Sequence, residues 1–286
     1  MSQYKYKVEE SGKKVFDFLS YFHLGKEKIK YYSIKGEILI NGILSDINTP
    51  LNKGDILTLV DDLTCDLKPL NKKLNILFEN ENLLIVNKPV NILIHSDGAK
   101  NLDNTLSNVV AAYYKNKGLD MPVRFVHRLD KDTTGIVIFA KDPLTEAYLD
   151  YLIDSRLLHR DYLAFVEGVV DKDLIINKPI GRDRHINNKY RISETGKESI
   201  TNVKVVKKYK KYTLVRLSLK TGRTHQIRVH MQSIAHPLCG DTLYGGSTKY
   251  INRVALHSYY VKFNDIYNNT IEVCAKLPFD MARLDN

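Results

Sequence analysis

The stretch His127-Arg128-Leu129-Asp130-Lys131-Asp132-Thr133-Thr134-Gly135-Ile136-Val137-Ile138-Phe139-Ala140-Lys141 passes from a charge-dense turn into an apolar strand. A carboxylate placed just ahead of a strand sits on a rigid mount, so this segment is where chemistry is expected. Three readings of it compete. The Asp-x-Asp-x-Thr-Gly opening suits a calcium loop, but the twelfth position should then be a bidentate Glu and is Lys141. The same letters suit an aspartyl-phosphate phosphotransferase, with Asp130 as nucleophile and Asp132 as acid/base. Such enzymes place the Asp directly after a buried strand and need a downstream acidic pair for magnesium. Here His127, Arg128 and Leu129 precede it, and Gly240-Asp241 lacks a nearby second acid. The third reading is an exposed turn capped by Asp and Thr.

Outward from this segment the texture is of many short apolar runs. Leu83 to Val86, Ile136 to Ala140, Tyr162 to Val166, Asn202 to Val206 and Thr213 to Leu219 read as strands. Leu144 to Leu158 and Thr224 to Ile234 read as helices, the second with Ile227, Met231 and Ile234 on one face. Strands outnumber helices without regular alternation. The expected class is therefore α+β with a mixed, mainly antiparallel sheet. Residues 181–199 are polar and read as a long exposed loop. Upstream, residues 11–60 read as a small α/β unit. Val15, Phe16, Phe18 and Leu19 form a helical stripe, Lys26 to Tyr32 a basic segment, Asn41-Gly42 a turn, and Gly54 to Val60 a strand. The expected division is residues 1–62 as that unit, 63–73 as linker and 74–286 as the main domain.

The composition narrows the classes. Lys and Arg total 43 against 33 Asp and Glu, a net charge of +10 that favours polyanionic partners. Between Glu198 and Asp241 no acid occurs, while Lys204, Lys207, Lys208, Lys210, Lys211, Arg216, Lys220, Arg223 and Arg228 do. That stretch is expected to follow a nucleic-acid backbone. No apolar run reaches the roughly 18–20 residues that a bilayer span needs. Three scattered cysteines argue against a disulfide framework. With no readable secretory signal, a cytoplasmic, monomeric protein is expected. His225, His230, His236 and Cys239 do not fall at metal-ligand spacing, so no metal is expected.

The whole pattern resembles, almost letter for letter, the catalytic motif of the RluA-type pseudouridine synthases. Other segments match in the same order: Asn87-Lys88-Pro89 with His95, and Arg160-Asp161-Tyr162 to Gly168, where Arg160 stands in place of the more usual lysine. Gly181-Arg182 and Gly196-Lys197 follow. Thr221-Gly222-Arg223-Thr224-His225-Gln226-Ile227-Arg228, His236 to Asp241, and Leu256-His257-Ser258 complete the set. The resemblance runs from about Ile76 to Phe279. Residues 11–60 also resemble the small RNA-binding module of the S-four type, although Lys26, Lys28 and Lys30 replace its usual Ser-Arg pair.

The resemblance implies an enzyme that isomerises uridine in structured RNA without a cofactor. The appended module favours ribosomal over transfer RNA as partner. It makes Asp130 the catalytic carboxylate, Tyr162 the residue that stacks on the flipped base, and Arg228 the partner that orients Asp130. Arg128 is expected to fill the space the base leaves. His127, Lys88, Arg182, Lys197, Arg223, His225 and Gln226 are the further expected RNA contacts. A non-catalytic RNA-binding protein of the same fold is the remaining alternative to the phosphotransferase.

Overall fold

The computed structural model describes residues 2–61, 63, 65–96 and 103–285. The first unit contains β1 (Ser2–Lys7), α1 (Val15–Tyr21), α2 (Lys26–Lys35), β2 (Ile38–Ile40), β3 (Ile43–Leu44) and β4 (Ile56–Asp61). Its strands pair in the order β1-β4-β2-β3. The sequence reading bounded this unit at residues 1–62 but placed its elements within 11–60, and did not anticipate β1. Its alternation is plain in retrospect: Tyr4 and Tyr6 point inward while Lys5 and Lys7 face solvent.

The rest of the chain runs β5 (Ile76–Glu79), β6 (Leu83–Lys88), α3 (Leu106–Asn116), β7 (Arg124–Phe125), β8 (Thr134–Ala140), α4 (Pro143–Asp154) and β9 (His159–Glu167). It continues with β10 (Leu174–Asn177), β11 (Ile180–Arg182), β12 (Tyr190–Ile192), β13 (Ile200–Lys208), β14 (Tyr212–Leu219) and α5 (Gln226–Gln232). A single 3-10 turn at Thr242–Tyr244, β15 (Leu256–Asn264), β16 (Thr270–Cys274) and α6 (Phe279–Asp285) close it. The main sheet follows β10-β13-β14-β9-β15-β8-β6-β5, with β16 beside β15 and β7 beside β8. Among the described residues only β8 and β15 pair in parallel, so the α+β, mainly antiparallel class holds.

β8 shows why the apolar run ending at Ala140 decides the fold. All seven of its residues are buried. Val137 and Phe139 enter one core, which α3 and α5 supply with Val109, Val110, Ile227 and Met231. Ile136, Ile138 and Ala140 enter a second, with Leu149 and Leu152 of α4 and Ile271 and Val273 of β16. A strand covered on both faces cannot alternate polar with apolar residues.

Two expectations change. The helix expected to reach Leu158 stops at Asp154, because Arg156 turns the chain in the left-handed region (φ +61°) and Leu157 and Leu158 bond back to Leu152. At its other end, the Asp142 carboxylate accepts from the Leu144 and Thr145 backbone N–H groups, and Pro143 needs no partner there. Residues 181–199 are not a plain loop. Ile180, Gly181 and Arg182 pair with Ile192, Arg191 and Tyr190 as a small β-hairpin. The pairing rests on backbone hydrogen bonds, which a polar sequence does not advertise.

The expected boundary falls in irregular chain, positions 62 and 64 of it lying outside the described residues. The two parts are nonetheless joined by buried polar contacts. Arg124 of β7 donates to Asp61 at 2.7 Å and to the Tyr4 hydroxyl at 3.1 Å, and the Tyr6 hydroxyl donates to Asp142 at 2.8 Å. His23 stacks on Tyr151. Removing one member of a buried ion pair strands the other, at about 3–5 kcal/mol. The first unit is thus fitted to its neighbour rather than tethered to it.

Candidate active site

The cleft of about 810 Å³ opens where the turn before β8, the middle of β9 and the entry to α5 converge. Asp130, Tyr162 and Arg228, which are 98 residues apart at the extremes, all line it.

The turn that carries Asp130 is pinned from both sides. Thr133 N–H donates back to the Asp130 carbonyl at 3.1 Å. Lys88 Nζ donates to the carbonyls of Lys131, Pro89 and Ile92 at 2.9, 3.0 and 2.8 Å. Arg253 donates to the Asp132 carbonyl at 3.2 Å. Burial drags the Lys88 ammonium down to about 7, against the raising effect of Asp132 and Asp130.

Arg228 projects from α5 and holds two carboxylates at once. Its Nε and Nη2 form a bidentate pair with Asp241 at 2.7 and 2.8 Å, and its Nη1 reaches Asp130 Oδ2 at 3.0 Å. Burial opposes its charge, but the hydrogen bonds and charge of Asp241, with those of Asp130, outweigh that and raise its pKa. Tyr162 is buried in β9, and burial raises its phenol pKa above the usual value. It therefore offers the cleft an aromatic face and a neutral hydroxyl rather than a phenolate base.

The other expected RNA contacts divide. Arg128 and Arg223 are exposed along the cleft and His225 lines it; Lys131, Arg156 and Lys220, which were not among those contacts, are exposed there too, and His95 joins the rim with its ring on Phe125. Arg182 and Lys197 are also exposed, outside the cleft lining. Lys88 and Gln226 are interior, which corrects their expected place on the RNA surface, while His127 is largely buried but lines the cleft. Lys88 spends its three donors on carbonyls. Gln226 accepts from Thr221 and Arg223 and donates to Ile200 and Thr201, which clamps the entry to α5. His127 Nε2 accepts from the Ile138 N–H. Hydrophobicity patterns cannot reveal a polar side chain whose burial is decided by distant carbonyls.

The acid-free stretch does not follow one surface. Its cleft end is Lys220 and Arg223. Lys207, Lys208, Lys210 and Lys211 sit at the other end of β14, roughly 25 Å away at the usual rise per strand residue. There Lys207 pairs with Asp285 and Lys208 with the Asp171 carbonyl. Reading the sequence also passed over Asp241 as a holder of Arg228, and Tyr244 beside it. The clue was an acid ending a stretch that otherwise has none. His230 and His236 each engage backbone carbonyls, of Lys178 and Glu167, and among the described residues no three His, Cys, Asp or Glu side chains gather as metal ligands.

Two buried histidines make stability pH-dependent. Burial, and then Arg160, lowers His127 to about 3, and burial lowers His257 to about 4 although the Ala275 carbonyl opposes it. Both folded values lie below the ordinary 6.5, so protonation favours the unfolded chain. The stabilisation is complete above about pH 6.5 and is lost as pH falls towards 4 and 3, at up to about 1.4 kcal/mol per pH unit for each ring. Urea unfolding at pH 7 and pH 5 is expected to show this loss, with His257→Gln reducing the difference by about 1–2 kcal/mol. A difference untouched by that change would place the titration elsewhere.

The family model described as RNA pseudouridylate synthase matches residues 82–233, more than half of the chain. "Uncharacterized RNA pseudouridine synthase YhcT" of Bacillus subtilis (strain 168) is 42% identical over 245 residues, covering 83% of this chain and 80% of the relative. "Ribosomal large subunit pseudouridine synthase D" of Vibrio cholerae serotype O1 (strain ATCC 39315 / El Tor Inaba N16961) is 32% identical over 277 residues, covering 91% and 85%. Among solved structures, "Human RNA Pseudouridylate Synthase Domain Containing 1" superposes with a TM-score of 0.62 at 26% identity, covering 74% of this chain and 87% of that one.

The chain belongs to the RNA pseudouridylate synthase family and is an RNA pseudouridine synthase, an isomerase. Among the described residues no helix is long and apolar enough to cross a membrane.

Proposed function

We propose that this chain converts uridine to pseudouridine in large-subunit ribosomal RNA, with Asp130 as the reacting carboxylate. The observation that supports this most is the Arg228–Asp130 contact of 3.0 Å, in a cleft edged by exposed arginines. The names of relatives such as the Vibrio cholerae protein support the choice of RNA. In the reaction the N1–C1′ bond breaks, the uracil turns, and a C5–C1′ bond forms. C5 loses its hydrogen as a proton and N1 gains one, so no oxidant or donor is consumed and none is invoked. Arg228, fixed by Asp241, orients Asp130 towards the sugar or the ring. Tyr162 gives the extruded base a face to stack on, and Arg128, exposed beside Asp130, takes the place it leaves in the RNA. The base pays a few kcal/mol to leave its stack, which contacts along the basic rim offset.

In this reading the first unit is the S-four-like module and adds RNA contacts through α2, where Lys26 and Lys30 are exposed, Lys30 near Glu27 on its own helix, while Lys28 pairs with Glu146. The protein acts in the cytoplasm as a monomer. Neither the family match nor the surroundings of Asp130 favour the phosphotransferase alternative. Mapping pseudouridines in cellular RNA with and without the gene tests the proposal. One or a few large-subunit positions are expected to disappear; losses confined to transfer RNA would overturn the ribosomal assignment.

A further inference from the structure

His225 occupies a backbone conformation that few residues adopt. It lies at the entry to α5 with φ +56° and ψ +18°, in the left-handed region. Histidine tolerates that region better than most residues, but it still costs of order 1 kcal/mol or more and is held by its surroundings. The Gln226 clamp holds it, and the result is a ring aimed at the cleft. His225 Nδ1 lies 2.9 Å from the Tyr244 hydroxyl, and Nε2 lies 3.6 Å from Asp130 Oδ2.

Hydrogen-bond accounting then favours one placement of the protons. The Tyr190 backbone N–H donates to the Tyr244 oxygen at 3.0 Å and takes up acceptor capacity there, while the hydroxyl still has its own proton to give. The acceptor in reach is His225 Nδ1. A neutral imidazole carries one proton, which is then on Nε2 and faces Asp130. The opposite tautomer would set a nitrogen lone pair against the carboxylate. Burial lowers the His225 pKa, ahead of the raising effect of Asp130, and this agrees with a neutral ring.

We propose that Tyr244 and His225 are positioning residues, a relay from the β12 backbone through the Tyr244 hydroxyl and the His225 ring that holds Asp130 Oδ2 together with Arg228 and leaves Oδ1 free to react. The 3.6 Å separation shortens when RNA closes the cleft. Because the relay begins on β12, the seating of the exposed hairpin at residues 180–192 sets the histidine tautomer. The inference rests on Asp130 being the reacting carboxylate.

Two measurements on the full chain test it. With ¹⁵N-labelled histidine, long-range proton–nitrogen correlation spectra should show His225 as the neutral Nε2–H tautomer, and Tyr244→Phe should mix the tautomers. An Nδ1–H or imidazolium signal in the unmodified protein overturns the relay whatever the substrate. Single-turnover tritium release from a large-subunit ribosomal RNA transcript labelled at uracil C5 gives the second readout. Tyr244→Phe should slow release about tenfold with half-saturation unchanged within about twofold, and His225→Leu about a hundredfold. His225→Gln, whose amide N–H₂ reaches the Nε2 position, should recover most of that loss. Equal losses for Gln and Leu, or losses in affinity alone, overturn the proposal. An active Asp130→Asn protein would instead defeat the catalytic reading beneath it, and an inactive one with unaffected Tyr244→Phe would defeat the relay alone.

Discussion

Asp130→Asn is expected to bind RNA with near-normal affinity and to release no measurable tritium from RNA labelled at uracil C5. The substitution keeps the size of the side chain and an oxygen that Arg228 can still meet, so the turn pinned by Lys88 and Arg253 should not move. What disappears is the charge and the nucleophilic oxygen. Removal of a reacting group that acts as a unit with its partners costs on the order of 10⁴-fold or more. Asp132→Asn is the control. Asp132 is held chiefly through its backbone carbonyl, and its side chain lies between the cleft and a second hollow near Arg253. That variant should keep activity within about tenfold, and it and the unmodified protein should both work with a chelator present. Under the phosphotransferase reading both changes abolish activity and magnesium is required. Substantial release from Asp130→Asn would sink the assignment of this carboxylate.

The parts legible in the sequence were those where local pattern and tertiary environment agree. The apolar residues ahead of Lys141 announced a strand because both faces of β8 are covered, and Asp130 stood out as a carboxylate on its leading turn. That Arg228 meets Asp130 could be carried only by resemblance, since nothing local links positions 98 residues apart. The buried polar side chains were misplaced for a related reason. Lys88 and Gln226 look like surface residues until their partners, mostly backbone groups from other elements, are known. The run of lysines from Lys204 to Lys211 shows the opposite error. A continuous charge pattern in sequence was divided by a β-hairpin, so that its two ends serve different surfaces. The β11–β12 hairpin escaped because its apolar residues, Ile180, Tyr190 and Ile192, are isolated in a polar stretch and find their partners, Val229 and Tyr244, only in distant segments.

Gly135→Ala should be the most destabilising single methyl group in the protein's central sheet. Gly135, the second residue of β8, has φ +113° and pairs with Ser258 across the parallel β8–β15 contact. A Cβ there would lie 2.2 Å from the Ser258 carbonyl oxygen and 2.6 Å from its nitrogen, both backbone atoms that no rotamer change can remove. Relief therefore requires β8 and β15 to part, which opens both cores that β8 divides. The expected cost is about 4 kcal/mol or more, read as a lowered urea midpoint or as loss of soluble protein. Gly245→Ala separates the two causes. That residue has φ +91° with nothing within 4 Å of its added carbon, so it carries the backbone strain without the collision. About 1–2 kcal/mol is expected there. Equal costs at the two positions would mean that the sheet yields to the methyl and that only backbone strain matters. Unequal costs assign the excess to the collision with Ser258 in the β8–β15 seam, directly after the turn that carries Asp130.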